Sequence, residues 1–499
     1  MDQLGTKYRW MGRGAIALAL VMSAAGIVLV SDPRLGQHVG VSAGSLVGSE
    51  SEAPEISAED GLAGDQNSDA LLTEVSESSP IQAGAMTIDL KGSSGVLREE
   101  EPELPEEDVV PEFDREGILD DAEDRVSDKF DIPANLRPRV AFWFDIYAKY
   151  DSNKRVIHHV RFPWIVYKVV DVSDIINSDT PKWRWMRNQH ADKKVASEMR
   201  EVREALKFLA GKRRAGELSP ETVEAVREAL AQLPGKEKAK AQRAIGEVRV
   251  QTGQRDFFAN GIAVSPRYLG TMEKIFQRHG LPTELTRLPF VESSFNGHAT
   301  SKVGASGIWQ FMGNTGRKFM TVNDIIDERR SPFKSTEGAA RLLKENHLIL
   351  YRSWGLALTA WNHGPGGIKK ASKIAGSRDL GTIISRYQSR TFDFASSNFY
   401  AEFLAALHTE KYSDRIFPAV VKVAPVDLQV VRLVRKLRAG DLMRKSGLSN
   451  EDFLLYNPEL ALAVKRNLPL PAGFKVHLPN DPQEELEALV RNETPVDPS

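Results

Sequence analysis

The sequence lacks several kinds of residue and motif that would assign chemistry directly. It has no cysteine in 499 residues, which excludes disulfides, thiolate nucleophiles, cysteine-ligated metals and an acylated N-terminal cysteine. No P-loop, dinucleotide fingerprint or nucleophile elbow is present. Neither the adjacent pair His158 and His159 nor the isolated His298 has a partner at metal-ligand spacing. We therefore predict no cofactor and no metal.

Aromatic residues are absent between Met11 and Glu112, and from Ser31 onward Ser, Gly, Ala, Asp and Glu dominate. Such a segment buries too little apolar surface to offset its ordering entropy. Residues 99–131 hold 16 acidic residues against 3 basic ones. The composition predicts a disordered acidic linker over 31–131 that acts as a tether.

The net charge of -2 hides an asymmetry between two parts of the chain. Residues 1–131 carry 9 basic and 28 acidic residues, and residues 132–499 carry 57 and 40. The basic excess suits either general solubility or binding to an anionic polymer such as an acidic glycan. No zinc-finger spacing, RNP-type aromatic pattern or heptad-linked basic region supports nucleic acid as a partner, and we predict none.

The N-terminus has the pattern of an export signal. Basic residues precede 17 uncharged residues from Gly14 to Val30, and Ser23-Ala24-Ala25 offers a small-residue cleavage site. If the segment is not cleaved, it becomes an inner-membrane anchor with its basic end inside. We predict a signal peptide or membrane anchor over 1–30, and an exported, periplasmic location for the rest.

Helical periodicity dominates most of the remaining chain, and few runs alternate with period 2. Amphipathic patterns, one of which starts at Ser219 and Pro220 as N-cap and first helical residue, predict a helical accessory region over 132–254. A second helical block, divided by Gly and Pro, covers 255–415. The fold class predicted is mainly α.

The pattern changes after Pro418. Two β-branched runs flank two short helical segments, and this β-α-α-β order predicts a small separate module over 425–480, followed by a tail over 481–499.

One acidic residue stands alone in an apolar stretch. Residues 288–312, LPFVESSFNGHATSKVGASGIWQFM, contain Glu292, and no further acid occurs until Asp324. Leu285, Leu288, Glu292 and Phe295 are separated by three, four and three residues. On a helix this spacing places Glu292 on an apolar face. Pro289 is expected to kink the helix.

A carboxyl group in apolar surroundings keeps its proton near neutral pH, which is what a general acid requires. The alternative is a buried glutamate satisfied by Arg287 or by a backbone donor. Downstream, Gly304, Gly307 and Gln310 form a turn suited to close approach of a ligand, and Asn362 with His363 precedes a Gly-Pro-Gly stop. Amides beside aromatic rings suit N-acetylated sugars.

Glu292-Ser293, GIWQFM at 307–312 and AWNHGPGG at 360–367 resemble, in this order and spacing, the soluble lytic transglycosylase domain. The resemblance covers about residues 255–400. It implies an α-helical, lysozyme-like catalytic domain, and a lyase that cleaves the MurNAc-GlcNAc β-1,4 bond of peptidoglycan without water, leaving 1,6-anhydro ends. Peptidoglycan glycan strands would be the partner.

The resemblance also implies roles for five residues. Glu292 matches the single catalytic acid and base, Ser293 the residue that hydrogen-bonds near it, and Gln310 a substrate-contacting amide. Asn362 matches the family's asparagine. Trp361 stands where the family has tyrosine, so a role of the phenolic hydroxyl does not carry over, whereas a stacking role at the substrate does.

Two rival functions stay open. Most glycosidases use two carboxylates, about 5 to 5.5 Å or 6.5 to 9.5 Å apart. A lysozyme-like muramidase would need an acid from Asp324 to Glu328 opposite Glu292. The other rival is a non-catalytic peptidoglycan-binding scaffold, which the unusual Trp361 favours.

Residues 428–479 resemble a degenerate LysM module, with AGD, SGLSNEDFLLYNP and LPAGFKVHLP in the expected places. The resemblance implies binding to GlcNAc-containing glycans, which would hold the protein on its polymer. The alternative is a packing appendage with no affinity for sugar.

Overall fold

The computed structural model of the protein describes residues 110–214, 216, 218–426, 428–479 and 490–492. The predicted signal peptide or anchor (1–30) and the linker up to residue 109 lie outside the described residues. None of the described helices combines the length and apolar character that a membrane span requires. The predicted mainly α fold class is confirmed.

The chain from residue 110 to 131 is ordered, so the prediction of a disordered linker ending at 131 is wrong for this stretch. Among its acidic residues are apolar ones that are buried in the same core as the central helical region: Ile118, Leu119, Val126 and Phe130. The elements up to residue 148 are α1 (Arg115–Leu119), a 3-10 turn (Asp128–Phe130) and α2 (Arg137–Ala148).

The predicted helical accessory region contains an antiparallel sheet as well as helices. Its elements are β1 (Lys154–His159), β2 (Val166–Asp171), α3 (Ser173–Ile176), α4 (Arg184–Leu209), α5 (Pro220–Ala231), α6 (Glu237–Ala244) and β3 (Val248–Thr252). The strand order is β2-β1-β3. Strand and helix faces share an apolar cluster of their own. The predicted start of α5 is confirmed, because the Ser219 hydroxyl accepts from the Thr222 amide at 3.3 Å.

The central region is helical, as predicted. Its helices are α7 (Arg255–Val264), α8 (Pro266–Arg278), a 3-10 segment (Thr283–Arg287), α9 (Leu288–Glu292), α10 (Gly313–Gly316), α11 (Pro332–Ile349), α12 (Trp354–His363), α13 (Pro365–Ala375), α14 (Leu380–Arg386), α15 (Phe394–Lys411) and α16 (Ser413–Ile416). Helix α15 packs against α2, α9 and α12. It is apolar on nearly every face, as expected for a helix surrounded by others.

Helix α2 lies within the predicted accessory region of 132–254, but its buried residues belong to the central core. The central core therefore does not begin at residue 255, as the sequence predicted. A row of aromatic rings leads from α2 to α9. Tyr147 lies 5.1 Å from Phe258 between ring centroids, and Phe258 lies 4.7 Å from Phe290. The Arg255 guanidinium donates hydrogen bonds to the carbonyl of Ala148 at 2.6 Å and to the carbonyl of Ile416 at 3.1 Å.

The C-terminal module contains two strands and two helices in the predicted order, together with a third short helix, a 3-10 turn and three further short strands. Its elements are β4 (Leu428–Leu433), β5 (Leu437–Arg438), α17 (Ala439–Lys445), α18 (Asn450–Tyr456), a 3-10 turn (Pro458–Leu460), α19 (Ala461–Lys465), β6 (Pro469–Leu470), β7 (Lys475–Pro479) and β8 (Val490–Asn492). The strands pair in the orders β7-β4-β8 and β5-β6. Part of the predicted tail, residues 490–492, is therefore a strand of the module.

A buried ion pair joins the module to the central region. Lys334 Nζ of α11 lies 2.7 Å from Glu459 Oε1, whose side chain is fully buried, and 3.2 Å from Glu328 Oε1. The Phe333 and His477 rings meet at 4.9 Å, and the Lys334 ammonium lies 4.1 Å from the Phe474 ring centroid. If the module moved away from α11, the buried Glu459 would lose the cation that neutralises it. The Lys334–Glu459 pair therefore fixes the module in place.

Candidate active site

Glu292 is positioned by a short helix that ends at its own residue. Pro289 is the second residue of α9, where a backbone N–H has no helical partner to lose. The predicted single kinked helix is thus a 3-10 segment followed by α9. Ser294 and Phe295 then adopt positive φ, at 50° and 60°, and the Phe295 ring returns to within 4.7 Å of Phe290. Phe295 is buried, but by this turn and not by helical spacing.

The predicted inward direction of Glu292 is confirmed, since the residue is 4% exposed. The alternative of a glutamate satisfied by Arg287 is wrong, because that guanidinium binds Glu273 and donates from Nε to Glu410 at 3.0 Å. Within the described residues, Glu292 Oε1 has no hydrogen-bond partner. The site therefore holds a buried carboxyl group without a cation beside it.

Burial raises the pKa of Glu292 from 4.5 to about 8, and a hydrogen bond with the Trp361 side chain acts in the opposite direction. Indole has only its N–H to offer, so Trp361 is the donor. The carboxyl group is protonated at neutral pH, and the indole stabilises the charged form that remains when the proton leaves. The apolar residues around Glu292 in the sequence predicted this protonation state.

Ser293 and Gln310 close the loop that follows α9. The Ser293 hydroxyl donates to the carbonyl of Ile308 at 2.9 Å. Gln310 Nε2 donates to the carbonyls of Ala299 at 3.2 Å and Gly307 at 2.9 Å. Both side chains are buried. The structure therefore brings them to the loop beside Glu292, where they hold the loop against the end of α9.

Gly307 is required by a close approach within the protein. A Cβ atom at this position would lie 1.9 Å from the carbonyl oxygen of Arg329, and its φ is 76°. From the sequence, the glycines of this turn were predicted to allow close approach of a ligand. At Gly307 the neighbour is instead the protein backbone.

Trp361 lies beside Glu292 and is 2% exposed. Its ring packs on Trp309 at 5.7 Å and edge-on to Phe311 at 5.1 Å between centroids. Neighbouring rings thus occupy much of the indole surface that a stacking role would use. The polar contribution of Trp361 is its N–H bond to Glu292.

Asn362 faces α15. Its Oδ1 accepts from the Ser396 hydroxyl at 2.8 Å, and the same hydroxyl lies 3.2 Å from His363 Nδ1. Within the described residues, the buried Nδ2 of Asn362 has no partner. Although Asn362 is next to Trp361 in sequence, its side chain hydrogen-bonds to α15 and not to α9, the helix that carries Glu292.

Three groups of the site were not predicted: Tyr147 of α2, Arg249 of β3 and Glu402 of α15. Burial and the charge of Glu292 raise the pKa of Glu402 to about 8, against the opposing effect of Arg249. Burial, together with the charges of Glu402 and Glu292, raises the pKa of Tyr147 well above its ordinary range. Across the described ranges, no group of three or more His, Asp or Glu side chains is arranged to hold a metal ion.

Part of the helical core, with the buried carboxyl group, matches a known domain family. Residues 272–383, which run from α8 into α14 and contain Glu292, Gln310 and Asn362, match the family model of the transglycosylase SLT domain.

Two individual proteins are similar to part of this chain. The chain is 36% identical over 107 residues to membrane-bound lytic murein transglycosylase D of Escherichia coli K12, which covers 21% of this chain and 24% of that protein. It is 31% identical over 96 residues to a putative tributyltin chloride resistance protein of Alteromonas sp., covering 19% of this chain and 46% of the relative. The chain thus spans about a quarter of the length of the first of these relatives.

Among solved structures, an inactive mutant of the lytic transglycosylase Slt from Pseudomonas aeruginosa is similar at 19% identity, with a TM-score of 0.26. The likeness covers 44% of this chain and 38% of that one.

Proposed function

We propose that the protein is a peptidoglycan lytic transglycosylase, which cleaves the MurNAc-GlcNAc β-1,4 bond without water and leaves 1,6-anhydro-MurNAc ends. The observation that carries the proposal is Glu292, a buried and protonated carboxyl group without a cationic partner, inside a segment that matches the SLT domain. A carboxyl group in that state at neutral pH is fit to donate a proton.

One carboxyl group is sufficient for both proton transfers. Glu292 first gives its proton to the glycosidic oxygen. The resulting carboxylate, stabilised by the Trp361 N–H, then takes the proton of the sugar's own C6 hydroxyl, whose oxygen attacks C1. The bond to the leaving sugar breaks, the anhydro ring forms, and Glu292 ends protonated as it began. Apolar surroundings favour this route because the attacking hydroxyl is already positioned.

The other predicted site residues have supporting roles in this proposal. Ser293 and Gln310 fix the loop next to the acid through their bonds to backbone carbonyls. The unpartnered Nδ2 of Asn362 is a donor suited to a substrate oxygen. Trp361 supplies a hydrogen-bond donor where the family has a phenol. The scaffold alternative assumed that the loss of the phenol removes a polar function, but the indole N–H keeps a donor at this position.

The hydrolase alternative needs a second carboxylate, and the described residues offer little support for one. In the segment expected to supply it, Asp327 binds Arg329 through both oxygens at 2.8 Å, and Glu328 binds Lys334. Glu402 is the other carboxyl group of the site, but its raised pKa keeps it protonated near neutral pH. A protonated carboxyl group serves neither as nucleophile nor as base for water.

We further propose that residues 425–480 bind GlcNAc-containing glycan strands and act as a LysM-like module. The β-α-α-β order and the motifs of the sequence support this assignment. Because the buried Lys334–Glu459 pair fixes the module against α11, a bound strand would be presented to the site in one orientation.

For localisation, the proposal is an exported, periplasmic protein held at the inner membrane by residues 1–30. The basic-then-apolar sequence of that segment supports it, and one relative is named as membrane-bound.

Digestion of purified sacculi, followed by mass analysis of the products, tests the proposed activity. Wild-type protein should release anhydro-muropeptides, and Glu292→Gln should release none while it still binds sacculi. The matched control Glu410→Gln removes a partly buried carboxylate that pairs with Arg287 outside the site, and it should keep the wild-type products. Reducing ends would identify a muramidase, and binding without any wild-type turnover would identify a scaffold.

A further inference from the structure

The polar groups around Glu292 form a cluster in which several atoms lack partners. Glu402 is 1% exposed and Tyr147 is fully buried. Within the described residues, Glu292 Oε1, Glu402 Oε1 and the Tyr147 hydroxyl have no hydrogen-bond partner. Buried polar atoms are nearly always paired, so three unpaired ones at one place call for an explanation.

One face of α15 carries Glu402 toward this cluster. Phe394, Asn398 and Glu402 follow each other at intervals of four residues and share that face. Asn398 Oδ1 accepts from Arg139 Nη1 at 2.7 Å and from Trp143 Nε1 at 3.1 Å. The face is therefore directed toward α2.

Neighbouring elements complete the surroundings of Glu402. Tyr147 follows Trp143 by one turn of α2, and its ring reaches α9 through Phe258. The Arg249 guanidinium lies 4.2 Å from the Phe394 ring centroid on the same face of α15. Glu402 thus lies where α2, α9 and β3 meet.

Several charged and titratable groups of the described residues face α15. They include Tyr147 and Arg139 on α2, His158 on β1, whose ring lies 5.5 Å from that of Phe394, Glu292 on α9, Arg287 before α9, His363 on α12 and Arg249 on β3. Arg287 is engaged by Glu273 and Glu410, and Arg139 by Asn398. Glu292 is the acidic group whose charge acts on Glu402.

Two carboxyl groups in one buried cluster cannot both ionise readily, because the first charge opposes the second. We propose that Glu402 is a positioning residue that shares a single negative charge with Glu292, so that a fraction of the molecules keep Glu292 protonated after the first proton has left. The inference rests on the proposed lytic activity. It gives the buried Glu402 carboxyl, whose Oε1 has no hydrogen-bond partner within the described residues, a function in that reaction.

The pH dependence of kcat/KM on soluble glycan strands stripped of stem peptides tests the proposal. For the wild-type full chain, the basic limb should be broader than a single titration, since the first deprotonation is divided between two groups. In Glu402→Gln the first proton comes from Glu292 alone. Its basic limb should fit one titration, with a midpoint lower by about half a pH unit. Glu402→Asp, which keeps a carboxyl group, should retain the broad limb.

Glu410→Gln is the matched control on the same helix, and it should leave the shape of the limb unchanged. A wild-type limb that fits one titration overturns the proposal without any variant, as does an unchanged broad limb in Glu402→Gln. If Glu402→Gln does not fold, the wild-type limb and Glu402→Asp decide. Failure of the proposed function is a separate outcome, because wild-type protein would then release no anhydro product at any pH.

Discussion

Replacement of Glu292 by glutamine should make the folded protein more stable at neutral pH while it abolishes turnover. Burial raises the pKa of this group from 4.5 to about 8. Because the folded protein holds this proton at pH values where the unfolded chain has lost it, the stability present below pH 4.5 decreases as the pH rises from 4.5 toward 8. At pH 7 the shift corresponds to about 3 kcal/mol, at 1.36 kcal/mol per unit. The isosteric amide carries no proton to lose, so the variant avoids this cost.

The assay is chemical denaturation of the wild type and Glu292→Gln at pH 4 and pH 7. We expect the variant to gain up to about 3 kcal/mol at pH 7 and almost nothing at pH 4. Glu410→Gln is the control, since it removes one of the two carboxylate partners of Arg287 and should lose about 1 to 3 kcal/mol. Loss of stability in Glu292→Gln at pH 7, or an equal change at both pH values, would refute the reasoning from burial.

Three further predictions concern other parts of the molecule. Lys334→Ala leaves the fully buried Glu459 without its cation and should lower the free energy of unfolding by about 3 kcal/mol in denaturation experiments. Trp361→Phe removes the donor to Glu292, so the basic limb of the pH–activity profile should move up and turnover should fall about tenfold, whereas Trp361→Tyr should retain most activity. Burial lowers the pKa of His158 from 6.5 to about 3. The unfolded chain therefore takes up this proton first when the pH is lowered from 6.5 to 3. Over that range the free energy of unfolding of the wild type should fall by about 1.4 kcal/mol per pH unit more than that of His158→Gln, as measured by thermal unfolding.

The sequence predicted Glu292 because its surroundings are local. Offsets along one short segment placed it among apolar residues, and the absence of other acids made it conspicuous. The same reasoning could not find Glu402. Helix α15 is buried on nearly all sides, so no pattern of buried and exposed positions distinguishes one residue. Its proximity to Glu292 depends on packing between elements more than a hundred residues apart.

The sheet of the accessory region was missed for a similar reason. Strand β1 pairs with β3, from Arg155 opposite Thr252 to His159 opposite Val248. A pairing over such a separation leaves no local signal, and the helices between the two strands dominate the pattern. The β-branched residues of β1 and β2 were the available indication of strands. The acidic stretch before residue 131 was misjudged because average composition outweighed a few well-spaced apolar residues.

In the proposed reaction, one buried acid serves both proton transfers while water takes no part. Digestion of sacculi in water labelled with the heavy oxygen isotope tests this most directly, with mass analysis of every newly formed glycan end. We predict anhydro ends that carry no label and are lighter than reducing ends by one water. Labelled reducing ends, formed at a rate that Glu292→Gln abolishes, would contradict the account and identify a hydrolase.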